Sequence, residues 1–278
     1  MRTAIFSLFA FFIFFSLFGF YWAIRPVKLS SAVTPKDFGI PYENISFRTS
    51  DNIRIHGWFI PSSTSTKKTV ILLHGYPANK NDILPAMIFL HSKFNLLLFD
   101  FRYFGESEGY YSTAGIKEVN DLLAAIQYLK SRDIDEAGIW GFSMGAAVAL
   151  MTAPKTSAIK AIVAESPYAR LDWMTYDYYR LPLLQYPLGE LTRLWGILFF
   201  GYDLKRISPA NSARDLTIPI LLIHSKQDTV VPYKHGELLQ EEMKNNPNLQ
   251  VILLENIKHG QSVLNHKKII MEFFEKNL

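Results

Sequence analysis

Short runs of consecutive apolar residues alternate along this chain with segments in which apolar residues recur every three to four positions. Continuous apolar runs are typical of strands buried on both faces of a sheet. They predict strands at residues 69–73, 95–99, 137–140, 159–164, 218–223 and 250–254. The helical spacing predicts helices at residues 81–91, 114–131, 237–246 and 262–277. This alternation indicates a mainly parallel sheet with helices on both faces.

Two segments depart from the alternation. Residues 43–50 and 53–61 are β-rich runs joined by Ser50-Asp51-Asn52, which predicts a β-hairpin. Residues 170–205 are an insertion rich in tyrosine, tryptophan, phenylalanine and leucine. This apolar content fits helices that cover the sheet like any core helix, and it also fits helices that face an apolar substrate. The pattern leaves both alternatives open.

The N-terminal residues 4–24 carry no charge and include eight phenylalanines. As a helix they would extend about 31 Å, which is close to the thickness of a bilayer core. Tyr21, Trp22, Arg25 and Lys28 follow at the far end, as expected at a membrane interface. We therefore expect a single-pass anchor at residues 1–25, a linker at 26–41 and a globular domain at 42–278.

Two alternatives to the anchor remain, a cleaved signal peptide and a core helix. The apolar run is longer than a signal peptide needs, and the nearest candidate cleavage site, around Ser30, lies beyond two positive charges. Positive charges stand on both sides of the run, so the charge distribution does not predict which side of the membrane the domain faces.

Composition narrows the class of protein. The 278 residues are 49% hydrophobic and 19% charged, which excludes disorder and provides for a large core. The net charge is +4, without a basic stripe, so nucleic-acid binding is not expected. The chain has no cysteine, which excludes disulfides, thiolate zinc sites and a cysteine nucleophile.

The motif Gly141-Phe142-Ser143-Met144-Gly145 carries the strongest chemical signal. It lies between the strand at 137–140 and a run of small residues at 146–150 that predicts a helix. A strand that turns sharply into a helix forces the central serine into a strained, positive-φ conformation. The flanking glycines remove side chains that would collide at this turn. The serine oxygen then stands clear of the sheet.

Further motifs follow predicted strands. They are His74-Gly75, the loop from Asp100 to Gly109, Asp228, and His259-Gly260. With the serine motif they resemble the α/β-hydrolase family of serine hydrolases, in a membrane-anchored branch, from about residue 42 to the C-terminus. The resemblance implies a mostly parallel eight-stranded sheet with helices on both faces. It also implies that residues 170–205 form a helical cap.

A catalytic triad is predicted from chain order and position after strands. Ser143 is the nucleophile, His259 the base that takes its proton, and Asp228 the acid that orients the imidazole. Two other histidines follow the acid, His235 and His266, and we expect both to be surface polar residues. Asp203 and Asp215 are weaker candidates for the acid because neither follows the end of a strand.

The resemblance also assigns the oxyanion hole to the backbone N–H groups of Tyr76 and Met144. His74, Asp100 and Arg102 are interpreted as structural supports of the site. Neither a zinc-protease motif nor a nucleotide-binding glycine loop is present, so no metal or cofactor is expected.

The predicted activity is hydrolysis of carboxylic esters or thioesters of an acyl or lipid-like substrate through an acyl-serine. Two alternatives remain open. One is a serine peptidase of the prolyl-oligopeptidase-like type, which shares the triad. The other is a catalytically silent, membrane-tethered binding module. The acyl chain, the leaving group and the oligomeric state do not follow from the sequence.

Overall fold

The computed structural model of the chain describes residues 2–28, 31–261 and 263–278. Ser30, in the candidate cleavage site, and Ser262, the first residue of the last predicted helix, lie outside the described residues. The chain divides into two compact units. We call Met1–Pro26 with Arg170–Ser208 the insert unit, and Val27–Ala169 with Pro209–Leu278 the sheet unit.

Eight strands of the described residues form one sheet in the sheet unit, in the order β1-β2-β4-β3-β5-β6-β7-β8. The strands are β1 Glu43–Arg48, β2 Arg54–Ile60, β3 Thr69–Leu73, β4 Asn95–Phe99, β5 Ala137–Phe142, β6 Ile159–Glu165, β7 Ile220–Ser225 and β8 Leu249–Leu254. β2 pairs antiparallel with β1 on one side and with β4 on the other, and all other pairs are parallel. The predicted hairpin and the mainly parallel sheet are therefore confirmed.

Helices cover both faces of this sheet. One face packs against α2 (Lys80–Met87) and α9 (Val263–Asn277) in a single apolar cluster. The other face carries α3 (Glu118–Lys130), α4 (Met144–Thr152), α7 (Pro209–Ala213) and α8 (Lys234–Glu242). The residues of β3, β4 and β7 are buried on both sides, as their continuous apolar runs predicted, whereas those of β8 are mostly exposed or half-buried.

Strand register brings several carboxyl ends to one edge of the sheet. Leu73, the last residue of β3, pairs with Gly141, and Phe142, the last residue of β5, pairs with Glu165, the last of β6. The ends of β7 and β8 also pair, at Ser225 and Leu254. The loops that follow these strands therefore emerge side by side, as catalytic loops do in open α/β sheets.

The helix predicted at 114–131 begins only at Glu118, so its predicted start was wrong. The carboxylate of Glu118 accepts hydrogen bonds from the backbone N–H groups of Thr113 (2.8 Å) and Gly115 (2.9 Å) and from the hydroxyl of Ser112 (2.8 Å). These bonds fold the preceding residues around the first helical turn. Side-chain acceptors of this kind compete with helix formation.

The insert unit contains α1 (Arg2–Ile24), α5 (Leu171–Tyr179) and α6 (Gln185–Phe200). Within it, α1 packs against α6. The hydroxyl oxygen of Ser16 accepts a hydrogen bond from the indole N–H of Trp195 (3.1 Å), and its carbonyl oxygen accepts one from the hydroxyl of Tyr179 (3.4 Å). Phe20 is buried against the rings of Phe199 and Phe200.

Among the residues that the structure describes, no helix is long and apolar enough to cross a membrane. The predicted transmembrane helix therefore finds no support in the fold.

Candidate active site

Ser143 lies at the turn between β5 and α4, and its backbone adopts φ 51° and ψ −113°. A Cβ atom at Gly141 would lie 2.6 Å from the amide nitrogen of Ala146, and one at Gly145 would lie 2.5 Å from the carbonyl oxygen of Leu73. Only glycine fits such close backbone approaches. The predicted strand–turn–helix with a positive-φ serine is confirmed.

Asp228 follows β7 and is held by three hydrogen bonds. Its Oδ1 accepts from the backbone N–H groups of Val230 (2.8 Å) and Val231 (2.9 Å), and its Oδ2 lies 2.6 Å from Nδ1 of His259. Burial alone would raise the pKa of Asp228. The hydrogen bond and charge of His259, with the two amides, outweigh burial and hold that pKa below its ordinary value.

The carboxylate of Asp228 is thus ionised at neutral pH and can only accept a hydrogen bond. Nδ1 of His259 therefore carries the proton that it shares with Asp228, and in the neutral tautomer the lone pair is then on Nε2. This tautomer is the one that a general base needs in order to take a proton from serine.

The aromatic ring of Phe142 brings His259 to the serine turn. The ring centroids of Phe142 and His259 lie 4.7 Å apart, and Phe142 directly precedes Ser143. Among the described residues, the hydroxyl of Ser143 makes no hydrogen bond with the imidazole. Such bonds often tighten only when substrate is bound. The fold joins the predicted acid and base and sets the base beside the serine turn.

The predicted oxyanion donors are the amides of Met144 and Tyr76. The first follows Ser143 in the chain, and the second belongs to a loop that packs against Ser143. Met144 is the first residue of α4, and the first N–H groups of a helix have no partner within the helix. Tyr76 follows Gly75, where an added Cβ atom would lie 3.2 Å from Cβ of Ser143. Both amides therefore belong to backbone that borders the serine.

His74 orients the peptide that contains the Tyr76 amide. Its Nε2 accepts a hydrogen bond from the backbone N–H of Phe101 (2.9 Å), and burial lowers the pKa of His74, so the ring is neutral. Nδ1 must then carry the proton and donate to the carbonyl oxygen of Gly75, 2.7 Å away. In a trans peptide the C=O and N–H point in opposite directions, so the Tyr76 N–H is turned away from His74.

Two substitutions of His74 should separate its two hydrogen bonds. In His74→Asn the amide nitrogen can replace Nδ1 and keep the bond to Gly75, whereas the bond from Phe101 is lost. We expect this variant to lose about 1–3 kcal/mol of stability in urea unfolding because a buried N–H is left unpaired. His74→Gln reaches Phe101 and not Gly75, so we expect its kcat to fall about 10- to 100-fold with little change in KM. Equal kcat values for the two variants would contradict the orienting role.

A buried ion pair fixes the far end of the loop that contains Tyr76. Lys80, which begins α2, is 1% exposed. Its Nζ donates to Asp100 (2.7 Å) and to Glu106 (2.6 Å), and its backbone N–H also donates to Asp100 (2.8 Å). Asp100 is thus a structural support, as predicted. No sequence pattern indicated the role of Lys80, because a lysine in a polar segment normally lies in solvent.

Arg102 is a second structural support, also as predicted. Its guanidinium donates to the buried carboxylate of Asp121 on α3 (2.6 Å) and to Asp51 in the hairpin turn (2.6 Å). Burial raises the pKa of Asp121 to about 7, against the opposing effect of Arg102. The pair ties the loop after β4 to the helix that covers it.

The remaining histidine and aspartate candidates take other positions. His235 is fully buried and its Nδ1 accepts a hydrogen bond from the backbone N–H of Ala169 (2.9 Å), so the expectation of a surface residue was wrong. His266 is half-buried on α9. Asp203 pairs with Arg193 in the insert unit (2.6 Å), and Asp215 is exposed. Among the described residues, no cluster of three or more His, Cys, Asp or Glu side chains could hold a metal ion.

The sequence is similar to one family model and to individual proteins of known sequence. The model of the prolyl oligopeptidase family (Peptidase_S9) matches residues 107–278. The uncharacterized protein YfhR of Escherichia coli (strain K12) is 32% identical over 208 residues, which cover 71% of this chain and 66% of that protein. The alpha/beta hydrolase domain-containing protein WAV2 of Arabidopsis thaliana is 29% identical over 222 residues, covering 76% of this chain and 69% of that protein.

Solved structures are similar over most of the chain. The Pyrococcus furiosus esterase Pf2001 matches with a TM-score of 0.75 and 29% identity, over 91% of this chain and 98% of that one. The Pyrococcus horikoshii acylaminoacyl peptidase matches in fold, with a TM-score of 0.67 and 20% identity, over 86% of this chain and 42% of that one. Because the family model covers well over half of its residues, the chain belongs to the prolyl oligopeptidase family of α/β hydrolases.

Proposed function

We propose that the protein is a serine hydrolase that cleaves carboxylic ester or thioester bonds of acyl or lipid-like substrates. The observation that carries the proposal is the hydrogen bond between Asp228 and His259 beside a serine turn with positive φ. The similarity to the Pyrococcus furiosus esterase, at 29% identity, supports ester chemistry.

In the proposed mechanism, Oγ of Ser143 attacks the substrate carbonyl carbon while Nε2 of His259 takes its proton. Asp228 stabilises the imidazolium that forms. The negative charge on the carbonyl oxygen is met by the amides of Tyr76 and Met144, and each such donor contributes about 3 kcal/mol to the barrier reduction.

The tetrahedral intermediate then collapses. The bond to the leaving group breaks, and His259 returns the proton to the leaving oxygen or sulfur. Water attacks the acyl-serine with His259 again as the base, which releases the carboxylic acid and restores the Ser143 hydroxyl.

A substrate panel tests this proposal on the purified chain. Hydrolysis of p-nitrophenyl esters from acetate to palmitate, and of matching acyl thioesters, should exceed hydrolysis of aminoacyl p-nitroanilides. The acyl length that gives the highest kcat/KM defines the substrate class. If a folded protein neither turns over these esters nor reacts with a fluorophosphonate, the proposal fails.

A serine peptidase is the second candidate function, and the match to the prolyl oligopeptidase family favours it. The same nucleophile and base would attack an amide, with His259 protonating the leaving amine. In the panel above, a higher kcat/KM for acylaminoacyl or aminoacyl amides than for any ester would establish this alternative.

We also propose that the insert unit binds a lipid bilayer through α1. Phe6, Phe9, Phe14 and Phe18 on this helix are more than half exposed. Exposed apolar rings in such number are unusual on a water-facing surface. Near its C-terminal end, Tyr21 and Trp22 are half-exposed and the guanidinium of Arg25 lies over the Tyr21 ring at 4.9 Å. Aromatic and basic groups together suit the headgroup region, where Arg25 meets lipid phosphate.

Flotation with phosphatidylcholine–phosphatidylglycerol vesicles tests the membrane proposal. The full chain should float with the vesicles, and a variant with serine at positions 9, 14 and 18 should remain at the bottom because it loses buried apolar area. A full chain that stays at the bottom of the gradient with the vesicles present would refute membrane binding.

A further inference from the structure

His224 lies on β7, four residues before Asp228, and is fully buried. Its Nε2 lies 3.0 Å from the carbonyl oxygen of Val231. A carbonyl oxygen only accepts hydrogen bonds, so Nε2 must carry a proton and donate it to Val231. The imidazole therefore connects the strand to the loop that holds the predicted acid.

The ring of His224 is neutral, and its hydrogen bonding is directed to this loop alone. Burial lowers the pKa of His224. With the proton on Nε2, its Nδ1 is a lone pair, and no hydrogen bond reaches that atom from the described residues. The titratable groups that face the ring are Asp228, His235, His259 and Tyr233.

Val231 links His224 to the acid. The N–H of Val231 and that of Val230 donate to Oδ1 of Asp228, while the carbonyl of Val231 accepts from His224. With Oδ1 fixed in this way, Oδ2 faces Nδ1 of His259 at 2.6 Å. The hydrogen bonds thus run from His224 through Val231 to Asp228 and then to His259.

Helix α8 holds the His224 ring in place from the other side. A Cβ atom at Gly236 would lie 2.8 Å from Cγ and 3.1 Å from Nδ1 of His224. Real Cβ contacts do not reach 2.8 Å, and a buried imidazole has little room to move. The absence of a side chain at this helical position is therefore what lets the ring reach Val231.

From these contacts we infer that His224 is a positioning residue for the acid of the triad. It moves no proton. It fixes the loop 228–231 so that Asp228 presents Oδ2 to His259, and it thereby stabilises the imidazolium formed when Ser143 is deprotonated. The inference rests on the proposed serine-hydrolase function and extends it to a histidine outside the triad.

The test is the second-order rate constant for labelling by a fluorophosphonate, measured against pH. This constant counts only folded, reactive molecules, and it requires no knowledge of the natural substrate. We expect His224→Met, which lacks the donor, to lower the constant about 10- to 100-fold, as misplacement of a catalytic group does. A loosely held carboxylate favours the imidazolium less, so the midpoint of the acidic limb should fall by about 0.5 pH units.

Two matched variants sharpen this test. His224→Gln places an amide nitrogen near the position of Nε2 and should keep both the rate constant and the midpoint close to those of the unmodified protein. Gly236→Ala removes no functional group, and alanine favours the helix more than glycine does, yet it should displace the ring and lower the rate constant as His224→Met does.

The outcomes separate a positioning role from a structural one. A structural role lowers the amount of labelled protein and leaves the rate constant and the midpoint unchanged. If His224→Met and Gly236→Ala keep both values while the unmodified protein labels normally, the positioning role is wrong and the proposed function stands. If the unmodified, folded protein does not label at all, the proposed function is wrong and the inference falls with it.

Discussion

Ser143→Ala should reduce hydrolysis about 10⁶-fold and abolish labelling by a fluorophosphonate. The reason is that the covalent acyl-serine cannot form without Oγ, and the remaining binding and oxyanion donors accelerate the reaction only weakly. The measurement is kcat on the preferred ester together with intact-mass detection of the phosphonate adduct. Because alanine differs from serine only by the hydroxyl, thermal unfolding should change little.

Ser166→Ala is the matched control for this experiment. Ser166 is also buried and also has a positive φ, 48°, directly after the neighbouring strand β6. Removing its hydroxyl should leave labelling intact. If Ser143→Ala still forms the adduct, or if Ser166→Ala loses it, Ser143 is not the nucleophile.

Asp228→Asn should reduce kcat about 10⁴-fold at neutral pH, which is the effect of fixing the wrong histidine tautomer. The hydrogen bonds of the loop dictate how the new amide must sit. Its oxygen has to stay on the N–H groups of Val230 and Val231, so its NH₂ group faces Nδ1 of His259. An NH₂ group donates, which forces Nδ1 to accept and moves the imidazole proton to Nε2. That nitrogen can then no longer take the proton of Ser143.

Steady-state kinetics on the same ester would measure this loss, and the exposed Asp215 provides the control. Asp215→Asn should keep full activity because its side chain lies outside the hydrogen bonds around His259. An Asp228→Asn variant with kcat within tenfold of the unmodified protein would show that another group orients the base.

The central strands could be predicted from the sequence because their apolar runs are continuous and these strands are buried on both faces. β3 and β4 have the predicted bounds, and β7 begins two residues later than predicted. Helix ends were harder to predict. The apolar stripe of α3 was correct, but the stripe does not reveal that the carboxylate of Glu118 binds the preceding loop.

The residues that support the site were difficult to recognise for a related reason. Lys80, His224 and His235 are polar side chains inside the fold. The partner of Lys80, Asp100, and the partner of His235, Ala169, are distant in the chain. Sequence periodicity reports which side of an element is apolar, and it carries no information about such long-range hydrogen bonds. The triad was accessible because each member lies in the loop or turn that follows a strand. Its catalytic roles remain predictions.

The hydrogen bonds of Ser16 bear on any attempt to prepare a shorter form of this protein. A chain that starts after α1 would remove the acceptor of the Trp195 indole N–H and one of the two hydrogen-bond partners of the Tyr179 hydroxyl. It would also uncover Phe199 and Phe200 where Phe20 now lies. Removing the phenylalanine-rich helix to gain solubility would thus replace one exposed apolar surface with another. We expect the shortened protein to self-associate through α6.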